Sequence, residues 1–351
     1  MHLCHICAAR SPADRRVAGN TPCERPGGWR AWLDATVVEA PSVPSQRLLL
    51  LDSASMYFRA FFGVPEIKAP DGTPVNAVRG FLDFIARLVE QYRPTDLVCC
   101  WDDDWRPQWR VDLLPSYKAQ RVVAENAVGP DVEEVPDPLQ VQVPIIVEVL
   151  AALGLAVRGA AGYEADDIIG TLATGAGMPV DVVTGDRDLF QVVDDAAAVR
   201  VLYIAKGVGN HERVDDAWVQ EKYGVVAAQY ADFATLRGDA SDGLPGVKGI
   251  GEKGAAALLA TYGDLAGIRA AAHDPAAKLT PGVRAKILAG EPYLEVAPAV
   301  VAVAREVDLD RSGTALPHAP ADMARLGELA ERYNLTSSVA RVTAALASLD
   351  D

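Results

Sequence analysis

Arg47-Leu48-Leu49-Leu50-Leu51-Asp52 is the stretch on which the fold turns. Four consecutive leucines do not alternate between core and solvent, so the run reads as a short strand buried on both faces, as in a parallel sheet. It closes on a carboxylate. Leu97-Val98-Cys99-Cys100-Trp101 repeats the pattern and closes on Asp102-Asp103-Asp104. Leu155 to Val157 is a third strand candidate. Pro179 to Val183 is a fourth, followed at once by Thr184-Gly185-Asp186-Arg187-Asp188. Between the strands, Val78, Phe81, Leu82, Ile85, Leu88 and Val89 recur at helical spacing. A second helix runs from Ile145 to Leu153, its start limited by Pro144. Strands alternating with helices predict an α/β, doubly wound, mostly parallel sheet flanked by helices. Ligands of such sheets sit beyond the carboxyl ends of the strands.

That edge is acidic. Asp52, Asp102, Asp186 and Asp188 stand at or just past strand ends, and Tyr163-Glu164-Ala165-Asp166-Asp167 opens a helix on the same side. One acid in a first helical turn is ordinary, because the helix dipole favours it. Three in four residues, facing further carboxylates, do not all ionise in one cleft without cations. Oxygen donors without nearby His or Cys suit magnesium or manganese, not zinc. Two such ions about 3.5–4 Å apart fit an in-line phosphodiester hydrolysis.

At 351 residues and 50% hydrophobic, the chain has material for a sizeable core. No apolar run is long enough to span a membrane, and five scattered cysteines are not a disulfide framework. A reducing, cytoplasmic compartment is the expectation. Residues 1–46 lack the apolar core of a secretory signal and read as a disordered N-terminal extension, or as the product of a start codon placed upstream. Cys4-x-x-Cys7 lacks the second pair that structural zinc requires. The net charge of −15 opposes non-specific binding to a polyanion, so local basic segments matter.

Two such segments stand out. Residues 105–139 interleave Arg106, Arg110, Lys118 and Arg121 with Trp105, Trp109 and Tyr117, a pattern suited to phosphate contact and base stacking. Ile204 to Arg213 reads as a hairpin, with helices around Ala217–Tyr223 and Ala227–Leu236. Then Gly238-Asp239-Ala240-Ser241-Asp242 adds two carboxylates before Gly246-Val247-Lys248-Gly249-Ile250-Gly251-Glu252-Lys253. Three glycines ahead of a helix predict a helix–hairpin–helix whose backbone N–H groups cradle one DNA phosphate, with Lys248 and Lys253 beside it. Such a cradle binds a polyanion without a basic surface and with a shallow salt dependence. Further on, Pro281 to Ala289 and Met323 to Tyr333 are helix candidates expected to pack on the sheet domain. The final residues read as a short acidic helix or frayed tail.

Over residues 47–310 the chain resembles the bacterial 5′-3′ exonuclease/flap endonuclease family, found fused ahead of DNA polymerase I and free-standing. The resemblance rests on Leu-Leu-Asp52 with Arg59, Trp101-Asp102, Tyr117-Lys118-x-x-Arg121, Gly162-Tyr-Glu-Ala-Asp-Asp167, Thr184-Gly-Asp-Arg-Asp-Leu-Phe190 and Gly238-Asp-x-Ser-Asp242. No polymerase segment follows Asp351, so the stand-alone form is expected. The resemblance implies a PIN-like, resolvase-like core over 47–213, with an arch or clamp at 105–139 that admits a free 5′ end. It implies a helix-hairpin-helix (H3TH) subdomain over 214–310, a helical segment over 311–351, and a monomer. Asp52, Asp102, Glu164 and Asp166 match ligands of one metal ion, and Asp186, Asp188 and Asp242 those of a second. Asp167 and Asp239 match further carboxylates of the cluster. Lys118, Arg121 and Arg59 match catalytic cations. Phe58, Arg110, Tyr117 and the hairpin residues Gly246, Val247, Lys248, Gly249, Ile250, Gly251 and Lys253 match DNA contacts, and relatives hold a potassium ion at the hairpin.

The implied substrates are DNA with a 5′ flap, nick or gap, and RNA–DNA hybrids, in replication and repair. The sequence departs from the family at Phe58 (usually Tyr), Arg187 (usually Lys) and Gly243 (usually Asn). One extra residue between Asp102 and Arg110 leaves Asp103 as an alternative ligand. The competing reading, a non-catalytic structure-specific DNA-binding protein, would require lost carboxylates, and the set is complete.

Overall fold

The computed structural model describes residues 46–124 and 131–350. The leader expected over 1–46 lies outside the described residues apart from its last position. β1 (Leu48–Asp52) is buried at every residue, as its leucines require. It pairs in parallel with β2 (Asp96–Cys100) on one side and β6 (Val180–Thr184) on the other. β5 (Ala156–Arg158) extends the sheet beyond β2, and β7 (Val199–Tyr203) beyond β6, both parallel. β8 (Glu212–Val214) closes the edge antiparallel to β7, giving the order β5-β2-β1-β6-β7-β8.

The sheet is covered twice. Leu48, Leu50, Val98, Val180 and Val182 face one hydrophobic cluster, and Leu49, Leu51, Leu97 and Val183 face another. Helices α1 (Ser53–Gly63), α2 (Asn76–Tyr92) and α5 (Val143–Leu153) join the second cluster. α6 (Ala165–Ala173) joins the first. The expected doubly wound sheet is therefore present.

Among its described residues the segment after β2 is built, not open loop, and 125–130 of the expected clamp lie outside the described residues. It holds α3 (Gln108–Leu113), a 3₁₀ turn at Ala119–Arg121, the small antiparallel pair β3 (Val122–Ala124) and β4 (Val132–Glu133), and α4 (Asp137–Gln140). The helical subdomain contains α7 (Asp216–Tyr223), α8 (Tyr230–Arg237), α9 (Glu252–Tyr262), α10 (Leu265–His273) and α11 (Pro281–Val301). α11 runs past Pro292 and Pro298, packs on α8 and α10, and meets the sheet domain through α3. α12 (Met323–Arg332) packs on α5. α13 (Thr336–Ala347) lies along α2 with Val342, Ala345 and Leu346 buried. The expected acidic or frayed tail is thus a core-forming helix without acidic residues. Among the described residues no helix is long and apolar enough to cross a membrane.

Candidate active-site cleft

The carboxyl ends of β1, β2 and β6 open on a cavity of about 330 Å³ lined by Asp52, Asp102, Lys118, Arg121, Glu164, Asp166 and Asp186. Asp188 and Asp242 line a narrower pocket that shares Lys118, Glu164 and Asp166 with the first. Most of the predicted acids therefore meet in one cleft.

Each is aimed by its own local structure. Asp52 ends β1 and caps α1, with Oδ1 accepting from the Ser55 N–H at 3.0 Å and Oδ2 from the Thr184 hydroxyl at 2.7 Å. Asp102 Oδ1 accepts from the Ala165 N–H at 2.8 Å, which ties β2 to the start of α6. Asp103 turns outward: a Cβ built on Gly159 would lie 2.5 Å from its Oδ1. Of the two alternatives, Asp102 is the one that lines the cleft. Asp186 Oδ1 accepts from the Asp188 N–H at 2.9 Å. Asp166 stands in the first turn of α6, and no donor among the described residues reaches either of its oxygens.

Crowding without solvent disfavours ionisation here. Burial pushes the Asp102 carboxyl up to about 7, with Asp52 and Glu164 adding repulsion against the bond from Ala165. Burial also raises Asp166 and Asp188 well above the ordinary range, each further lifted by Asp186. Asp186 and Asp242 shift the same way, again mainly through burial. The nearest relief comes from the protein's own cations. Lys118 Nζ meets Glu164 Oε2, and Arg121 Nη2 lies 2.7 Å from Asp242 Oδ1. As the side chains stand, no three His, Cys, Asp or Glu groups among the described residues are gathered tightly enough to hold one ion. The two ready-made ligand sets expected from the sequence are thus a shared acidic cleft with cations inside it. The all-oxygen donors and the excess of carboxylate still fit hard divalent ions.

Four predicted contacts are corrected. Asp167 is fully buried and faces away from the cleft. Its oxygens take a two-point pair from Arg110 at 2.7 and 2.8 Å and a bond from the Ala304 N–H at 2.7 Å. Arg110 is 3% exposed and is out of reach of DNA. Tyr117 is buried as well and donates its hydroxyl to Glu164 Oε1 at 2.7 Å, so its ring is not free to stack on a base. Asp239 is paired with Arg187 at 3.0 Å and Arg237 at 3.2 Å, and lines neither pocket. Those partners and the Ser241 bonds outweigh its burial and hold its carboxyl below the usual range.

Phe58 lines both the acidic cavity and a wider one of about 860 Å³, which also contains Arg59 and Lys206. Arg59 Nη1 donates to the Ala205 carbonyl at 3.0 Å. Sequence reasoning missed Glu133, which β4 brings to the cleft mouth and whose carboxyl burial raises. No motif marks Glu133. Thr184 opens the motif that runs to Phe190, but nothing in that motif announces its task of aiming Asp52.

The clamp is seated on the loop before the hairpin. Ser116 Oγ donates to the Gly243 carbonyl at 2.7 Å, Lys118 N–H to the Asp242 carbonyl at 3.0 Å, and Arg121 to the Ser241 carbonyl at 3.1 Å. The hairpin follows with Gly246 and Gly249 at φ +64° and +82°, conformations open to glycine. Val247 and Ile250 bury their side chains and give their N–H groups to Leu236 and Val247 carbonyls, both at 2.9 Å. Those two amides, expected on DNA, are committed internally. Lys248, Gly249, Gly251 and Lys253 are exposed at the start of α9. Lys286 Nζ stands 2.8 Å from the Gly249 carbonyl, a charge that no sequence motif announced.

A cleft walled by carboxylates, holding mobile-length cations and opening beside exposed backbone amides, is the site of a nuclease. The chain belongs to the 5′-3′ exonuclease family. Residues 47–224 match its N-terminal resolvase-like domain and residues 225–324 its C-terminal SAM fold. A 5′-3′ exonuclease of Streptomyces coelicolor is 63% identical over 299 residues, covering 85% of this chain and 99% of that one. One from Mycobacterium tuberculosis is 53% identical over 312 residues, covering 86% and 98%. The fold is also that of the bacteriophage T5 flap endonuclease, crystallised with DNA and metal ions. There the TM-score is 0.57 at 15% identity, over 87% of this chain and 99% of that one.

Proposed function

We propose that this 5′-3′ nuclease hydrolyses DNA phosphodiester bonds at free 5′ ends and at 5′ flaps, nicks and gaps, using two divalent ions. The observation that carries the reading is the convergence of Asp52, Asp102, Glu164, Asp166, Asp186, Asp188 and Asp242 on adjoining pockets, where burial and then mutual repulsion raise the carboxyls of Asp102, Asp166 and Asp188. The T5 relative, with its DNA and metal ions, supports it.

In this reading Asp52, Asp102, Glu164 and Asp166 hold one ion, and Asp186, Asp188 and Asp242 the other. Magnesium or manganese bound there would supply an activated water and charge compensation at the departing 3′ oxygen. Lys118 and Arg121 release Glu164 and Asp242 to the ions and turn to the non-bridging phosphate oxygens, where they stabilise developing charge. Phe58 stacks on a base at the junction, and Arg59 with Lys206 takes the adjoining backbone. The exposed amides of Lys248, Gly249 and Gly251, with Lys253, hold a duplex phosphate. The Lys286 ammonium at the Gly249 carbonyl occupies the place of charge that the family resemblance gives to potassium.

The core spans 47–213 with its clamp at 105–139, and the hairpin subdomain spans 214–310. A monomer that trims primers, RNA–DNA hybrids included, and repair intermediates is the corresponding cellular role. Incubating 5′-flap, nicked and blunt duplexes with and without magnesium, and sizing the products, tests the reading. Metal-independent cleavage, or none of the 5′-flap strand, would overturn it.

A further inference from the structure

Arg110 was expected at the DNA and lies in the core instead, with every N–H directed at a partner. Its guanidinium forks onto both oxygens of Asp167, and Nη1 also reaches Glu164 Oε1 at 3.0 Å. Nε donates to the Val300 carbonyl at 3.0 Å and Nη2 to the Ala302 carbonyl at 3.2 Å. The Trp109 ring lies 4.4 Å from the guanidinium carbon and keeps water out. One side chain from the clamp helix α3 therefore joins the start of α6 to the strand of chain that leaves α11.

The consequence falls on Glu164. Its Oε1 takes two donors, Arg110 Nη1 and the Tyr117 hydroxyl; both border the narrower pocket, and neither lines the 330 Å³ cavity. Oε2 is met by Lys118, which does line that cavity. We infer that Arg110 is a positioning residue: from behind the acidic wall it fixes the Glu164 carboxylate so that a single oxygen is offered to an ion in the cleft. This rests on the reading of Glu164 as an ion ligand. Asp167 then has a separate duty from its neighbour. It is the counter-charge that holds the arm, while Asp166 faces the cleft.

A planar fork with five fixed donors can serve two acids and two carbonyls at once. A lysine has one compact charge centre and does not span the same set. Outer partners of a metal ligand commonly contribute 10–100-fold to ion affinity, which makes the inference measurable without catalysis.

The experiment is manganese titration of the DNA-free protein by calorimetry, for the parent chain, Arg110→Lys, Glu164→Gln and the double variant, with circular dichroism as the check on folding. Arg110→Lys is expected to weaken manganese binding by about 10–100-fold. On a 5′-flap duplex it should lower kcat and leave KM within about twofold, because DNA is held elsewhere. In the Glu164→Gln background the same change should add nothing, since its effect passes through Glu164. Parent-like manganese affinity in Arg110→Lys, or losses that simply add in the double variant, would overturn the inference. Unchanged affinity in Glu164→Gln alone would instead remove the ligand reading on which it stands. Should Arg110→Lys not fold, the neutral exchange Arg110→Gln with Asp167→Asn buries no lone charge and is read by the same criteria.

Discussion

Ser116 and Gly243 touch backbone to backbone: a Cβ placed on Gly243 would lie 1.9 Å from the Ser116 carbonyl oxygen. Gly243 also sits at φ +69°, a region that costs other residues about 1–2 kcal/mol. The contact fixes the turn carrying Lys118 and Arg121 against the loop carrying Asp242. Gly243→Ala is therefore expected to lift residues 116–121 from their seat. Amide exchange in that segment should accelerate, and flap cleavage should fall by at least tenfold while duplex affinity, measured by anisotropy, stays within about twofold. An unchanged exchange rate would refute the seating argument.

Asp166 faces both pockets and is spared from local hydrogen bonding among the described residues. Asp166→Asn removes a charge from the centre of the cluster and creates no cavity. Cleavage of a labelled 5′ flap in magnesium should drop by at least 10³-fold, the scale on which lost electrostatic stabilisation acts. The melting temperature of the ion-free variant should rise, because repulsion is relieved.

The raised carboxyls give stability a direction with pH. Asp102 holds its proton up to about 7 in the fold and to about 4 in the unfolded chain. Between those values the folded protein binds more protons, so stability falls as pH rises and the penalty is complete above about 7. Asp166, Asp186, Asp188 and Asp242 add in the same sense. Ion-free protein should melt higher at pH 6 than at pH 8. Magnesium should raise the melting temperature at pH 8 and do so less at pH 6. Calorimetric scans in EDTA and in magnesium would check both statements, and an ion-free melting temperature that climbs from pH 6 to 8 would contradict them.

Lys286 supplies positive charge directly at the hairpin. Duplex binding by the parent chain should accordingly change less than twofold when potassium is replaced by sodium at equal ionic strength. Lys286→Met should weaken binding by about 3–10-fold, the scale of one ordinary hydrogen bond at an exposed site, and should make it sensitive to that replacement. Anisotropy titrations in the two salts decide the matter.

How much of this was legible in the residues follows from where their partners lie. β1, β2 and β6 were readable because an unbroken apolar run is explained by burial on both faces. β7 was not, because Arg200 interrupts it; that arginine reaches Asp181, itself buried in β6, a pairing visible only once the strands are adjacent. The small-residue helices α10 and α13 gave too weak a period to mark their full extent. Strand-end acids could be placed on one edge from topology alone. Which face of α6 each acid took could not: Asp166 and Asp167 are neighbours in sequence, yet one faces the cleft and the other the core. Arg110 and Tyr117 looked like surface contacts because the groups that bury them, near Val300 and Glu164, lie far along the chain.

The tie between Arg110, Asp167 and the carbonyls of Val300 and Ala302 also sets an order of assembly. A nascent chain still inside the ribosome beyond α11 has already emerged with its sheet, its acids and its clamp. Of the arginine's acceptors, the Ala302 carbonyl alone has not yet been delivered. A polypeptide released before Val300 would carry the acids and the Arg110–Asp167 pair but lack the two carbonyls that anchor that pair to the far subdomain.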